Sequence, residues 1–157
     1  MINVLFVCLG NICRSPMAEG VFKDLVKRNG LSELFNIDSA GTASYHMGNT
    51  AHRGTLKILA DHNIIYQGRA RKITEQDLNK FDYIIAMDSD NLSNIKNMDY
   101  KGTQWHKMNQ LLDFAHQTTI LNVPDPYYTG NFEQVYKLVL DGCNGLLVHI
   151  STEKNLI

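Results

Sequence analysis

Ile2-Asn3-Val4-Leu5-Phe6-Val7-Cys8-Leu9-Gly10-Asn11-Ile12-Cys13-Arg14-Ser15-Pro16 is the stretch on which the fold turns. Residues 2–7 are a short apolar run, the pattern of a strand buried on both faces. Residues 8–15 read as a loop. Ser15-Pro16 then reads as an N-cap followed by proline at the first helical position. Ala18, Val21, Phe22 and Leu25 follow at offsets 0, 3, 4 and 7, one face of a helix, and Asn29-Gly30 supplies the stop. A strand running through a tight loop into a helix start gathers backbone N–H groups that can converge on an anion.

Working outward, the same alternation continues. Phe35-Asn36-Ile37-Asp38 reads as a second strand, ending at Ser39-Ala40-Gly41-Thr42, and residues 55–62 as a helix ending near Asn63. Thr74-Glu75-Gln76-Asp77 has the capping-box pattern. Asp82-Tyr83-Ile84-Ile85-Ala86 is the clearest later strand, and Asp88 or Ser89 would cap a helix carrying Leu92 and Ile95 inward. Residues 104–115 fit a short strand with a helical turn, and 117–130 a loop holding two of the three prolines. Asn131 caps a last helix with Phe132, Val135, Val139, Cys143 and Ile150 on one face, weakened locally by Gly142 and Gly145. Alternating strands and helices predict one α/β domain over 1–157, with a parallel sheet covered on both faces. Ligands of such sheets bind beyond the carboxyl ends of the strands, where Cys8 lies.

Composition narrows the function. The chain has 157 residues, 44% of them hydrophobic and 20% charged, with a net charge of -1. No basic excess points to nucleic acid, and no apolar run approaches a membrane span. The apolar start has no basic flank or small-residue cleavage site, so it reads as a strand, not a signal peptide. A cytoplasmic location is expected, with export by a non-standard route as the alternative. Three cysteines, an odd number, argue against a disulfide scaffold. Cys143, in an apolar helix, reads as a small buried hydrophobe. The six histidines, His46, His52, His62, His106, His116 and His149, show no metal-ligand spacing and suit surface or cap roles. No metal or cofactor is expected.

The loop carries chemistry. A cysteine at a helix N-terminus favours the thiolate, which is the nucleophilic form. Gly10 permits backbone geometry that a side chain would obstruct. Arg14 offers a planar fork for two phosphoryl oxygens. The Ser15 hydroxyl is placed to donate to the sulfur. A Walker-type loop is absent, since G-x-x-x-x-G-K-[ST] does not occur. An acid is then needed for the leaving oxygen. Val123-Pro124-Asp125-Pro126-Tyr127-Tyr128 supplies one, its prolines stiffening the loop and its tyrosines able to wall a cleft. Alone, either segment also fits a plain structural role; together they point to cysteine-based phosphoryl transfer.

On these residues the chain resembles the low-molecular-weight protein tyrosine phosphatases. The anchors are Cys8 to Pro16, Asp38-Ser39-Ala40-Gly41-Thr42, Phe81 to Asp88 and Asp125-Pro126-Tyr127-Tyr128. The resemblance implies a four-stranded parallel sheet, Cys8 as nucleophile, Arg14 as phosphate binder and Asp125 as acid and then base. Leu9, Gly10, Asn11, Ile12 and Cys13 would supply backbone donors, with Ser15 stabilising the thiolate. Asn11 would hold the loop in shape through Ser39. Tyr45, Tyr127 and Tyr128 would form the substrate cleft, for phosphotyrosine-containing proteins. Cys13 matches a second loop cysteine able to bond with Cys8 on oxidation. One position departs: Gly68 stands where many members carry a histidine that braces the asparagine–serine pair.

Three other readings share the scaffold. A protein-arginine phosphatase would place threonine at Ile12 and lack Tyr128. An arsenate reductase would need a further cysteine pair, and only Cys143 remains. A non-catalytic phosphate-binding module would not need Cys8, Arg14, Ser15 and Asp125 together.

Overall fold

In the computed structural model, which describes residues 1–156, four parallel strands form one sheet in the order β2-β1-β3-β4. The strands are β1 (Ile2–Cys8), β2 (Phe35–Gly41), β3 (Tyr83–Ala86) and β4 (Met108–Gln110). The helices are α1 (Arg14–Arg28), α2 (Arg53–Asp61), α3 (Glu75–Lys80), α4 (Ser89–Met98), α5 (Pro126–Thr129) and α6 (Phe132–Glu153). β1 is central because its residues are apolar on both sides. Val4, Phe6 and Cys8 join a core with α1, α2 and α6, while Leu5 and Val7 join another with Leu78 of α3 and Ile95 of α4. The α/β class, the parallel sheet and its cover on both faces are thus as read from the sequence.

Element ends follow local chemistry. α1 stops in a Schellman arrangement: Leu31 N–H donates to Val26 O, Gly30 N–H to Lys27 O, and Gly30 has φ 69°. α2 stops the same way around Asn63, at φ 64°. Thr74 and Asp77 make the reciprocal capping box, and Asn131 accepts from Gln134 N–H. Asp88, rather than Ser89, caps α4.

Several expectations are corrected. α1 begins at Arg14, so Ser15 is not its N-cap; Cys13 holds that position without a side-chain cap, leaving the Ser15 hydroxyl free for another partner. β2, by contrast, ends at Gly41, within the expected Ser39–Thr42 stretch, because Cys8 pairs with Gly41 at the end of the β1–β2 ladder. Residues 117–130 are not all loop: Asp125 accepts from Tyr127 N–H and starts the single turn α5. Gly142 and Gly145 are less a weakness of α6 than a condition of its packing. A Cβ at Gly142 would sit 2.5 Å from Leu111 Cγ, and one at Gly145 would sit 1.7 Å from Phe114 O. The segment after β4 therefore lies directly on the α6 backbone.

Candidate active site

The carboxyl ends of β1 and β3 set the site. β1 delivers Cys8 to the start of the loop, and α1 begins six residues later with Arg14. Two groups converge on the sulfur: Asn11 N–H donates to Cys8 Sγ at 3.3 Å, and Ser15 Oγ lies 3.0 Å from it. Asn11 Nδ2 donates to Ser15 Oγ at 2.8 Å, which leaves the serine proton free for the sulfur. Cys8, Asn11 and Ser15 are all buried.

Asn11 is the residue that takes a left-handed backbone here, at φ 57°; Gly10 does not. For a residue with a side chain this conformation is uncommon and has to be held. Three side-chain contacts hold it. Nδ2 reaches Ser15 and, at 3.0 Å, Ser39 Oγ; Oδ1 accepts from Arg71 N–H at 3.0 Å. What Gly10 permits is the approach of His46, whose Cδ2 would lie 3.0 Å from a Cβ there.

Arg14 is 3% exposed and faces three acceptors. Nη1 donates to Asp88 Oδ2 at 2.5 Å and to Val123 O at 3.0 Å; Nη2 reaches Asp125 Oδ2 at 3.4 Å. Burial alone would lower its pKa, but the charges of Cys8, Asp88 and Asp125 carry it upward, so the guanidinium is always charged. Its Nε is buried without a hydrogen-bond partner among the described residues, a donor left for a ligand. Cys13 is the opposite case. Burial, and then the charges of Asp125 and Cys8, push its thiol up to about 12. Burial likewise pushes the Cys143 thiol upward, in keeping with an inert core position.

Cys8, Ile12, Cys13, Asp125, Tyr127 and Tyr128 line a narrow pit of about 40 Å³, with Tyr45 and His46 at its wall. Beside it, a cleft of about 480 Å³ passes Leu9, Arg14, Asp88 and Asp125. Tyr127 and Tyr128 meet edge to face with centroids 5.2 Å apart, and His46 lies 5.9 Å from Tyr127. Every residue singled out from the sequence therefore belongs to one neighbourhood, except Ser39, which supports it from β2. Among the described residues, no three His, Cys, Asp or Glu side chains are gathered as metal ligands.

The sequence reading missed three participants. Asp88 was read only as a helix cap; it does cap, through Oδ1 to Asn91 N–H, and its other oxygen holds Arg14. Its place after β3, parallel to that of Cys8 after β1, is the signal that was available. His46, which the sequence suits to a surface or cap role, is brought over Gly10 only by the fold. Glu19 stands one helical turn beyond Ser15 and is 4% exposed; an acid on that buried line was a legible signal.

The chain matches the model of the low molecular weight phosphotyrosine protein phosphatases over residues 3–156. It is 51% identical over 158 residues to the low molecular weight protein-tyrosine-phosphatase YfkJ of Bacillus subtilis, covering 99% of this chain and all of that protein. The crystal structure of YfkJ superposes with a TM-score of 0.93, covering 98% of this chain and 97% of that one. The low molecular weight protein-tyrosine-phosphatase PtpA of Staphylococcus aureus is 44% identical over 99% of this chain and 98% of its own length. The Drosophila arginine phosphatase DARP superposes with a TM-score of 0.87 at 34% identity, covering 94% of this chain and 96% of its own. The chain belongs to the low molecular weight phosphotyrosine protein phosphatase family. The enzyme class read from the sequence, a protein-tyrosine phosphatase, agrees with the family model, YfkJ and PtpA.

Proposed function

We propose that this protein hydrolyses phosphotyrosine in protein substrates through a phosphocysteine on Cys8. The observation that carries this is that Asp125 lines one pit with Cys8 and pairs with Arg14 at 3.4 Å, although it lies 111 residues from Arg14 in the chain. The incoming phosphoryl group takes the Arg14 fork, displacing the loosely held Asp125 oxygen. Cys8 attacks phosphorus as the thiolate, which Asn11 N–H and the Ser15 hydroxyl stabilise. The bond to the leaving oxygen breaks as Asp125 gives that oxygen its proton. Asp125 then takes a proton from water as water attacks phosphorus, and the S–P bond breaks to return the thiolate. The loop amides of residues 9–13 and Arg14 neutralise the equatorial oxygens, so catalysis is positioning and electrostatics and needs no metal.

Depth supports the aromatic substrate. The sulfur is buried, whereas Tyr45, Tyr127 and Tyr128 are 76%, 51% and 75% exposed at the rim. A phenyl ring spans that depth between aromatic walls; a serine stem does not. Ile12 gives the pit an apolar wall where a guanidinium nitrogen would want a polar one. Comparing kcat/KM on phosphotyrosine, phosphoserine and phosphoarginine peptides tests the reading. Phosphotyrosine is expected to lead, strongly over phosphoserine and less so over phosphoarginine, with Ile12→Thr narrowing the second gap more. Preference for phosphoarginine in the unmodified enzyme overturns the substrate assignment. Activity is expected to survive EDTA and to be blocked by vanadate. No described helix is long and apolar enough to cross a membrane, and a cytoplasmic location fits the reactive thiol.

A further inference from the structure

A chain of hydrogen bonds leaves the back of the phosphate loop. Asn11 Nδ2 donates to Ser39 Oγ, and Ser39 spends its own proton on Glu19 Oε1 at 2.6 Å. Tyr66, on the segment between α2 and α3, donates to the same Glu19 oxygen at 2.8 Å. Lys23 Nζ takes Glu19 Oε2 at 2.6 Å. Tyr66 Oη and Ser39 Oγ are 3.5 Å apart, but both protons already go to Glu19, so Tyr66 acts on Ser39 through the carboxylate. Burial and the Glu19 charge push the Tyr66 phenol upward, which keeps it a donor.

We propose that Tyr66 is a positioning residue for Cys8, locking Glu19 so that Ser39 holds Asn11 in its left-handed conformation. This rests on the cysteine-phosphatase reading above. Glu19 is buried and carries a charge that must be fully bonded to stay in place. Its Oε1 is the nearest acceptor for the Ser39 proton among the described residues, and the Ser39 oxygen is one of the two that Asn11 Nδ2 leans on. A carboxylate that rotates loosens Ser39, then Asn11, then the Asn11 N–H aimed at the Cys8 sulfur. Gly68 makes the arrangement possible: a Cβ there would fall 2.4 Å from Tyr66 Oη and 2.7 Å from its Cζ. The brace expected from position 68 thus comes from Tyr66, and the small residue at 68 clears its way. Tyr66 and Glu19 also line a surface groove of about 530 Å³ that shares no lining residue with the pit.

The test uses Tyr66→Phe, Gly68→Ala and the double variant. Gly68 does not need a left-handed backbone, so its substitution displaces the Tyr66 hydroxyl without adding backbone strain. Each single variant is expected to lose about tenfold in kcat on an aryl phosphate, the scale of a small misplacement of a reacting group. KM is expected to stay within about twofold, because the phosphate and ring contacts are untouched. The pH midpoint of Cys8 alkylation by iodoacetamide is expected to move up in both. The double variant should be no worse than the weaker single one, since both remove one contact. Unaltered kcat and alkylation profile in Tyr66→Phe overturn the proposal, as does a loss that follows only the fraction unfolded. Additive losses in the double variant overturn it too. The alkylation arm reads Cys8 without turnover, so it separates failure of this proposal from failure of the phosphatase reading, which an inactive unmodified protein would expose.

Discussion

Asn11, which donates to the Cys8 sulfur, and Asp125, which lines the pit beside it, sit on two loops built on opposite plans. Asn11 is 2% exposed, and both polar atoms of its side chain are bonded, to Ser15, Ser39 and Arg71. The Asp125 side chain is 22% exposed and is held by one N–H, from Tyr127, and by a 3.4 Å pairing with Arg14. The segment that leads to Asp125 is pinned before the acid. Asp141 of α6 accepts from the backbone N–H groups of His116, Gln117 and Thr118, and Val123 N–H donates to Met87 O. Gln110 Nε2 also donates to Leu121 O, and Ser89 N–H to Asn122 Oδ1; past Val123 the Asp125 side chain has only the two contacts just given. The contrast teaches that anion binding and proton delivery make different demands. A cradle for phosphate works by being fixed before the anion arrives, since donors that must reorganise stabilise little. An acid that serves leaving groups of different position works from a less constrained arm.

The largest way to break this contrast is Cys8→Ser. A folded variant with abolished turnover is expected, because a serine hydroxyl stays protonated beside Asn11 and Ser15; comparable kcat sinks the nucleophile assignment. Next comes the arm. Asp125→Ala is expected to cost about 10²–10⁴-fold in rate and to flatten the falling limb of the kcat/KM pH profile on aryl phosphates. An unchanged profile removes Asp125 from the mechanism.

Oxidation sharpens the comparison within the cradle itself. Peroxide is expected to take Cys8 to the sulfenic acid, which Cys13 then captures as a disulfide. With the Cys13 thiol pushed up to about 12, little thiolate is present at neutral pH, so capture is slow. The fraction of activity recovered by thiol reductants should therefore rise with pH, and Cys13→Ser should keep turnover but lose that recovery. Peptide mapping that joins Cys8 to Cys143 instead would defeat the local pairing.

The smallest effect concerns the outer support. Arg71, whose N–H holds Asn11, is itself gripped by Asp77 through Nη1 at 2.9 Å and Nη2 at 3.1 Å. Burial alone would raise the Asp77 pKa, but its hydrogen bonds from Arg71 and Thr74 hold it below the usual carboxylate range. A lowered folded-state pKa stabilises the fold above the unfolded value, and that stability is lost as pH falls through the folded value. Asp77→Asn is expected to cost about 2 kcal/mol near neutral pH, the scale of hydrogen bonds to a charged group. Below about pH 4 the gap to the unmodified protein should narrow. Denaturant melts at two pH values measure this, and a gap that widens on acidification contradicts the assignment.

Within these limits the amino-acid sequence by itself determined the elements and the chemistry-bearing side chains. The apolar run before Cys8, the helical face from Ala18 to Leu25 and the caps at Thr74 and Asn131 act over a few residues, so they are legible without the fold. Cys8, Arg14 and Asp125 are singled out by short segments of sequence as well, and the fold brings them near one another; the roles proposed for them await the tests above. The tertiary structure decided what those side chains lean on. Asp88 gained Arg14, His46 came over Gly10, and Gly142 and Gly145 became the floor for Leu111 and Phe114. Tyr66 is the clearest instance: nothing within several residues of it names Glu19, 47 positions away. Such contacts depend on where a parallel sheet and its crossovers set distant segments, to within a fraction of an ångström. Local propensity carries no information about that distance, and only the packed chain supplies it.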